Sequence, residues 1–370
     1  MPRRHDGLFV RIANFRALHE AALRAVRGKR RKPGAAAFMA RLEPECLRLE
    51  RQLNDGSYRP GRHVDIVVRD PKRRVVSAAP LRDRVVHHAL HAVLAPIFER
   101  GFIADSFANR VGKGTHRAIA RYEQFRDRYR HVLRADIAEY FASIDHAALK
   151  ADLRRRIACD RTLALCDAVI DAVIDGAATT QPTLRYFDGD DLFAPLARRR
   201  GLPLGNLTSQ FFANVYLDGF DHFVKEVLRA PYLRYVDDFA LFADDPGRLR
   251  QWQERIAAYL QGRRLLLHPR KTWIAPSAEP AIFLGLELRG GGQRRLPAHN
   301  VHRFRARLDD MRGQWRAGTI DAAQVRQRVG GWVAHARHAH TRALRHTLFN
   351  GGWFDPFWAD GRPVEGAIRL

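Results

Sequence analysis

The sequence predicts an α+β fold, on three observations. Short strand-like runs at residues 131–137, 232–243 and 281–288 lie between much longer helical segments. Their order is not a strict βαβ repetition, which argues against a doubly wound parallel sheet. No internal repeat or long low-complexity tract is visible, so a solenoid is excluded. With 370 residues and 46% hydrophobic content, the chain can bury a core in one large domain or in two to three packed subdomains.

The Arg-rich start, residues 2–32, is interrupted by Asp6 and Glu20 and shows no cleavage-site pattern, so it reads as a basic helical arm and not as a transit peptide. Apolar positions spaced by three and four predict helices over 15–53 and 81–98. Residues 131–137 read as a strand, and 145–175, rich in Ala, Leu and Arg, as helical. Thr208 or Ser209 can cap a helix carrying Phe212, Val215, Tyr216, Phe223 and Val227 mostly on one face. Residues 232–243 then read as two short strands around an acidic turn, 281–288 as one strand, and 299–350 as helical. Turn-rich breaks fall at Asn54-Asp55-Gly56, at 111–115, at 198–206 and at Gly290-Gly291-Gly292.

Sixty-four Lys and Arg against 40 Asp and Glu give a formal charge of +24, which attracts polyanions and makes nucleic acid the first partner to consider. Only seven of the cations are Lys, and Arg favours planar, bidentate contact with phosphate. Cys46, Cys159 and Cys166 are far from forming a Cys-x-x-Cys pair, so neither a disulfide framework nor a zinc site is expected, and a reducing cytoplasm fits. The apolar stretches are too short and too interrupted to cross a bilayer, so no membrane partner is expected. Gly112-Lys113-Gly114-Thr115 lacks the P-loop spacing. His335, His338, His340 and His346 have no acid or Cys at ligand spacing, so they read as solvated or RNA-facing. Trp315, Trp332, Trp353 and Trp358 read as packing residues of a helical C-terminal part.

Chemistry concentrates in two places. Tyr235-Val236-Asp237-Asp238 lies between apolar runs, and adjacent acids at a hairpin tip are costly unless something positive sits there. Two Mg²⁺ ions would meet that need, since hard cations prefer carboxylate oxygens and leave positions open for substrate phosphates. Asp136 ends another strand-like run, and two strand-borne acids meet if their strands are neighbours in one sheet. The pattern fits two-metal nucleotidyl transfer, with Asp136 and Asp237 as bridging ligands and Asp238 as a supporting ligand or polariser.

These segments resemble the ordered blocks of prokaryotic reverse transcriptases. The matching stretches are Pro71-Lys72-Arg73-Arg74-Val75-Val76, residues 81–86, 106–115, 136–146, 201–214 and 235–238, then 268–272 and Phe283-Leu284-Gly285. The resemblance implies a right-hand polymerase fold, with an N-terminal arm and fingers over 1–130. A palm with an antiparallel sheet follows over 131–290, then a helical thumb over 291–370. It implies an RNA-directed DNA polymerase that takes dNTPs, a template RNA and a DNA or RNA primer. Two Mg²⁺ ions, or Mn²⁺ in their place, would be held by Asp136, Ile137, Asp237 and Asp238. Lys72 and Arg74 would grip the triphosphate, a clamp that phosphoryl transfer needs. Phe141 would lie under the sugar and exclude a 2′-hydroxyl, and Leu204 and Gln210 would border the nucleotide. Lys271 would protonate pyrophosphate, and Phe283, Leu284 and Gly285 would grip the primer end.

The block Leu204-Gly205-Asn206-Leu207-Thr208-Ser209-Gln210 departs from the form common in the family, which begins with Gln and ends with Pro. It resembles the form found in diversity-generating retroelements and in some unaffiliated or antiviral-defence relatives. Losing the Gln amide removes a polar handle on the nucleotide and loosens base selection. The diversity-generating enzymes work with a small basic accessory protein and a structured template RNA, and residues 330–336 also look like their thumb. The stretch after Gly285 leaves room for a thumb and not for a nuclease domain, which makes a self-sufficient group II intron protein a poorer match. A mutagenic retroelement polymerase is the leading expectation, a defence-system polymerase the second, and a non-catalytic RNA-binding scaffold the third.

Overall fold

β-branched and aromatic residues set where the strands form. β1 (Val64–Val68) and β2 (Arg74–Ala78) make an antiparallel ribbon with Val64 opposite Ala78 and Val68 opposite Arg74. β3 (His131–Asp136), β4 (Tyr232–Tyr235), β5 (Asp238–Ala243) and β6 (Trp273–Pro276) form a four-stranded sheet in the order β4-β5-β3-β6. β7 (Ala281–Phe283), β8 (Leu286–Leu288) and β9 (Arg294–Arg295) form a third, antiparallel sheet. This computed structural model describes residues 3–68, 73–172 and 185–349, and beyond them the backbone of a two-residue pairing of Trp358–Ala359 with Arg362–Pro363. The chain divides into two compact units, residues 1–114 with 133–274, and residues 115–132 with 275–370.

In the first unit the core forms around the helix Leu207–His222, whose Phe211, Phe212, Val215, Tyr216, Leu217 and Phe220 are all buried. A helix apolar over most of its circumference belongs in the middle of a domain. Phe220 meets Phe239 of β5 edge-on at 5.3 Å and Tyr232 of β4 at 6.0 Å, which fixes the β4–β5 hairpin against the helix. Each such aromatic removed from water contributes about 1.5–3 kcal/mol. Phe239, Ala240, Leu241, Phe242 and Ala243 are buried without alternation, as expected of a strand covered on both faces.

Five expectations from the sequence need correction. Residues 15–53 are three helices, Phe15–Ala25, Pro33–Met39 and Leu42–Asn54. Gly28 takes a left-handed φ of +71° and Pro33 opens the next helix at its first turn, so both mark the first break; the second falls at Ala40-Arg41. The start of the chain is not simply an arm, because Leu18, Ala21, Ala22 and Ala25 are buried in the main core. The helix at 207–222 is not capped by Thr208 or Ser209. Asn206 occupies the cap position and turns its amide elsewhere, accepting from Ala79 N–H and donating to the Ser77 carbonyl. Residues 281–288 are two strands, because Leu284 (φ +48°) and Gly285 (φ +85°) reverse the chain between β7 and β8. Of the 145–175 segment, residues 146–154 and 160–171 form separate helices, and residues 173–175 lie outside the described residues. The β1–β2 ribbon was not anticipated.

The second unit packs the helices Ala298–Arg316 and Ala322–Ala336 around Phe304, Leu308, Met311, Val325, Val329 and Val333. Trp332 stacks on Phe304 at 3.9 Å, and Trp315 lies against the same cluster. Trp353 and the Trp358 side chain lie outside the described residues. His338 stacks on His116 at 3.4 Å, and the Arg294 N–H donates to His340 Nδ1 at 3.1 Å.

Candidate active site

The four-stranded sheet carries the three acids to one place. Asp136 is the last residue of β3, Asp238 the first of β5, and Asp237 lies in the two-residue turn that joins β4 to β5. β3 and β5 are neighbours, and the Ile137 N–H donates to the Asp237 carbonyl at 3.2 Å, tying the two acid-bearing backbones together. On the other side, Ile137 bridges Leu267, with the His268 N–H on the Asp136 carbonyl at 2.7 Å and the Ala138 N–H on the Leu266 carbonyl at 2.8 Å. The backbone at Asp136 is therefore fixed from both flanks.

The hairpin tip is strained. Val236 has φ +59°, a left-handed conformation that a β-branched side chain disfavours, and such positions cost on the order of 1–3 kcal/mol. A two-residue hairpin needs positive φ at its first central residue, a place usually given to Gly or Asn. Beneath the turn, Arg234 Nη1 donates to the Val236 carbonyl at 2.9 Å.

Charge at the site is unbalanced in a way that suits cations. Burial, and then the nearby Asp136 carboxylate, pushes the Asp237 carboxyl up to about 6. Burial raises Asp238 as well, against the Arg134 guanidinium, whose Nη2 lies 3.1 Å from both Asp238 oxygens. Lys271 Nζ donates to Asp136 Oδ1 at 2.9 Å. Two of the three carboxylates thus face cations, while Asp237 is crowded by acids. Among the described residues no group of three or more His, Cys, Asp or Glu stands ready as a complete metal shell. Hard carboxylate oxygens short of positive charge nonetheless fit a divalent ion that draws its remaining ligands from substrate phosphates and water.

The nucleotide-side candidates fall around the same unit. Arg74 opens β2 and is exposed, whereas Lys72 lies outside the described residues. Leu204 accepts the Ser77 N–H on its carbonyl at 3.1 Å, so the block at 204–210 abuts the β1–β2 ribbon. A Cβ on Gly205 would stand 2.5 Å from Val76 Cγ1, and its φ is +105°, so this close approach requires glycine. Gln210 is half-buried on the first turn of the following helix. Phe141 is half-buried at the margin of the main core, and its carbonyl accepts the Leu202 N–H at 2.8 Å, bringing the two blocks together.

Phe283, Leu284 and Gly285 belong to the second unit. Phe283 is fully buried, stacked on Tyr122 at 4.7 Å. Leu284 and Gly285 make the turn, and a Cβ on Gly285 would meet the His335 ring at 3.4 Å.

Sequence reasoning passed over Arg134, Arg234, Asp221 and Asn214. Arg234 and Asp221 are 1% and 0% exposed as side chains and form a bidentate pair, Nε to Oδ1 at 2.7 Å and Nη2 to Oδ2 at 2.5 Å. The available signal was an Arg inside each of two otherwise apolar strand runs, where a charge is costly unless partnered.

Residues 68–288 match the family described as reverse transcriptase (RNA-dependent DNA polymerase). The chain belongs to the reverse transcriptase family. Its fold is accordingly the right-hand polymerase fold, here with mixed helices and antiparallel strands. The chain is 27% identical over 316 residues to Protein YkfC of Escherichia coli (strain K12), covering 74% of this chain and 76% of that protein. It is also 27% identical over 172 residues to the uncharacterized 91 kDa protein in cob intron of Schizosaccharomyces pombe, covering 46% of this reverse transcriptase and 19% of that protein. Among solved structures, apo telomerase from Candida tropicalis, truncated from its C-terminal domain, aligns with a TM-score of 0.45 at 15% identity. That alignment covers 64% of this chain and 55% of the telomerase chain.

Proposed function

We propose that this reverse transcriptase extends a DNA or RNA primer with dNTPs on an RNA template, with Asp136 and Asp237 as the central acids. The observation that carries this reading is the Ile137 N–H bond to the Asp237 carbonyl, which holds two acid-bearing strand ends side by side. Asp136, Asp237, Asp238 and the Ile137 carbonyl would hold two Mg²⁺ ions, or Mn²⁺ in their place. When bound, those ions supply activation of the primer 3′ oxygen and charge neutralisation at the departing pyrophosphate. Lys271 moves from Asp136 to the pyrophosphate and delivers a proton to it through Nζ. Arg74 and Lys72 orient the triphosphate, Leu204 and Gln210 border the base, and the Phe141 ring fills the space of a 2′-hydroxyl. Phe283, Leu284 and Gly285 hold the primer end. In this reading residues 1–130 are arm and fingers, 131–290 palm, and 291–370 thumb, and the charge of +24 supplies nucleic-acid affinity.

The biological setting we propose is a diversity-generating retroelement in the cytoplasm, with a small basic accessory protein and error-prone cDNA synthesis. Residues 330–336, which look like the thumb of the diversity-generating enzymes, favour this over an antiviral-defence enzyme, whereas the Leu204 form is common to both. No helix among the described residues is long and apolar enough to cross a membrane.

Primer extension on a defined RNA template tests the chemistry. Asp136→Asn and Asp237→Asn are expected to abolish Mg²⁺-dependent incorporation while template binding stays near wild type, and extension by either variant would refute the assignment. The same assay with ribonucleotides tests Phe141→Ala, which should raise rNTP use relative to dNTP. An unchanged ratio would make Phe141 a core residue only.

A further inference from the structure

Arg234 is buried beneath the acidic hairpin, and each part of it is engaged differently. Its backbone is fixed by residues 105–107, with the Arg234 N–H on the Asp105 carbonyl at 2.9 Å and the Phe107 N–H on the Arg234 carbonyl at 3.0 Å. Nε and Nη2 are taken by the two Asp221 oxygens, and Asp221 also accepts from Tyr232 Oη at 2.7 Å. The remaining nitrogen, Nη1, points at the turn, donating to the Val236 carbonyl at 2.9 Å and to Asn214 Oδ1 at 3.2 Å. Asn214 is held in turn by its Nδ2 on the Ala108 carbonyl at 2.9 Å.

Val236 is the residue with φ +59°, directly before Asp237. A valine does not hold that conformation by preference, so something outside the turn must over-determine it. The Arg fork can do this: two nitrogens lock it to Asp221 in a fixed plane, and the third meets the strained peptide. A lysine, with one point charge and no fork, could not serve both partners.

We propose that Arg234, oriented by Asp221 and Asn214, is a positioning residue that holds Val236 left-handed and thereby aims the Asp237 carboxylate into the active site. This rests on Asp237 being a central acid, as argued under Proposed function. A turn that relaxes toward ordinary φ would rotate the Asp237 peptide away from β3, loosening its bond with Ile137. Displacing a reacting group by about 1 Å can cost on the order of a hundredfold in rate.

The test compares three proteins with wild type. Arg234→Lys keeps charge and loses the fork. The triple change Arg234→Met, Asp221→Leu, Tyr232→Phe removes the buried charges and the hydroxyl together, and such replacement usually leaves a fold intact. The third adds Val236→Gly to Arg234→Lys, because glycine adopts positive φ without penalty and no longer needs the grip. Wild type must first show Mg²⁺-dependent extension; if it does not, the polymerase reading itself fails. Given that activity, both charge variants are expected to lose about 10- to 100-fold in kcat, with KM for template unchanged. Mn²⁺ binding to the free protein, followed by electron paramagnetic resonance, should weaken in parallel, and Val236→Gly should restore most of both losses. Wild-type kcat and Mn²⁺ binding in either folded variant would overturn the proposal. So would losses that Val236→Gly leaves in place, or failure of both charge variants to fold, since each assigns the pair to the core alone.

Discussion

Lys271 and Asp136 form an ion pair across the mouth of the candidate site, Nζ to Oδ1 at 2.9 Å, with the lysine side chain half exposed. The ammonium rests on the carboxylate to which the proposed function assigns a divalent ion. Two roles therefore separate cleanly: a stand-in cation that leaves when metal arrives, or a proton donor retained for chemistry. Lys271→Ala should lower the single-turnover incorporation rate by about 10²-fold, the lower end of what general acid catalysis contributes. Its apparent Mg²⁺ affinity should rise, because the competing cation is gone. An unchanged rate with tighter Mg²⁺ would leave Lys271 as the stand-in only.

Asp238 is not equivalent to its neighbour. Arg134 already engages its carboxylate with Nη2 3.1 Å from both oxygens, whereas Asp237 is pressed by Asp136. Asp238→Asn should therefore cost less in kcat than Asp237→Asn and more in stability, since it removes the carboxylate charge facing the mostly buried Arg134 guanidinium; breaking such a pair costs about 3–5 kcal/mol where burial is complete, and less here. Equal loss of activity in the two variants, with no change in melting temperature, would contradict this division of roles.

The acids were legible because adjacent carboxylates between apolar runs violate the ordinary rule for buried charge, and only a cationic ligand or partner rescues them. What supports them was not. Arg234 follows two buried apolar residues and reads as an interruption of a strand, and nothing local announces that Asp221, on a helix thirteen residues earlier, reaches the same place. The helix at 207–222 was legible by its apolar positions, but its cap was not, because Asn206 uses its amide on residues 77 and 79 of a ribbon that the sequence hid. That ribbon escaped notice since every residue of β1 is exposed, so the period-two contrast that marks a half-buried strand is missing. The single strand expected at 281–288 failed on Leu284, whose left-handed φ no propensity foretells.

Stability should depend on pH through the helix Leu81–Glu99. Burial, and then neighbouring positive charge, holds His87 down at about 3 and His88 at about 4, against 6.5 for an ordinary histidine. Below 6.5 the unfolded chain takes up protons that the folded chain refuses. The contribution is therefore complete above 6.5 and is lost as pH falls through the folded values. Asp218, raised to about 6 chiefly by burial, acts in the opposite sense, contributing below its ordinary value of 3.8 and fading as pH rises through 6. A single variant isolates one side of this balance. The melting temperature of His87→Gln minus that of wild type should climb as pH drops from 7 to 5, and a flat difference would mean that His87 does not titrate on unfolding.

Leu204 makes the claim that bears most on biological role. Its carbonyl is committed to the Ser77 N–H, and its side chain offers a nucleotide no hydrogen bond. Leu204→Gln supplies one polar contact. A neutral hydrogen bond is worth about 1 kcal/mol, so misincorporation should fall several-fold and no further. If error is concentrated opposite template adenine by much more than that, the excess must come from the shape of the pocket or from an accessory protein acting on it. Sequencing cDNA made on a defined template, with and without such a partner, separates these sources. Uniformly low error opposite all four bases in both reactions would remove the diversity-generating reading and leave the defence enzyme as the better account of the same active site.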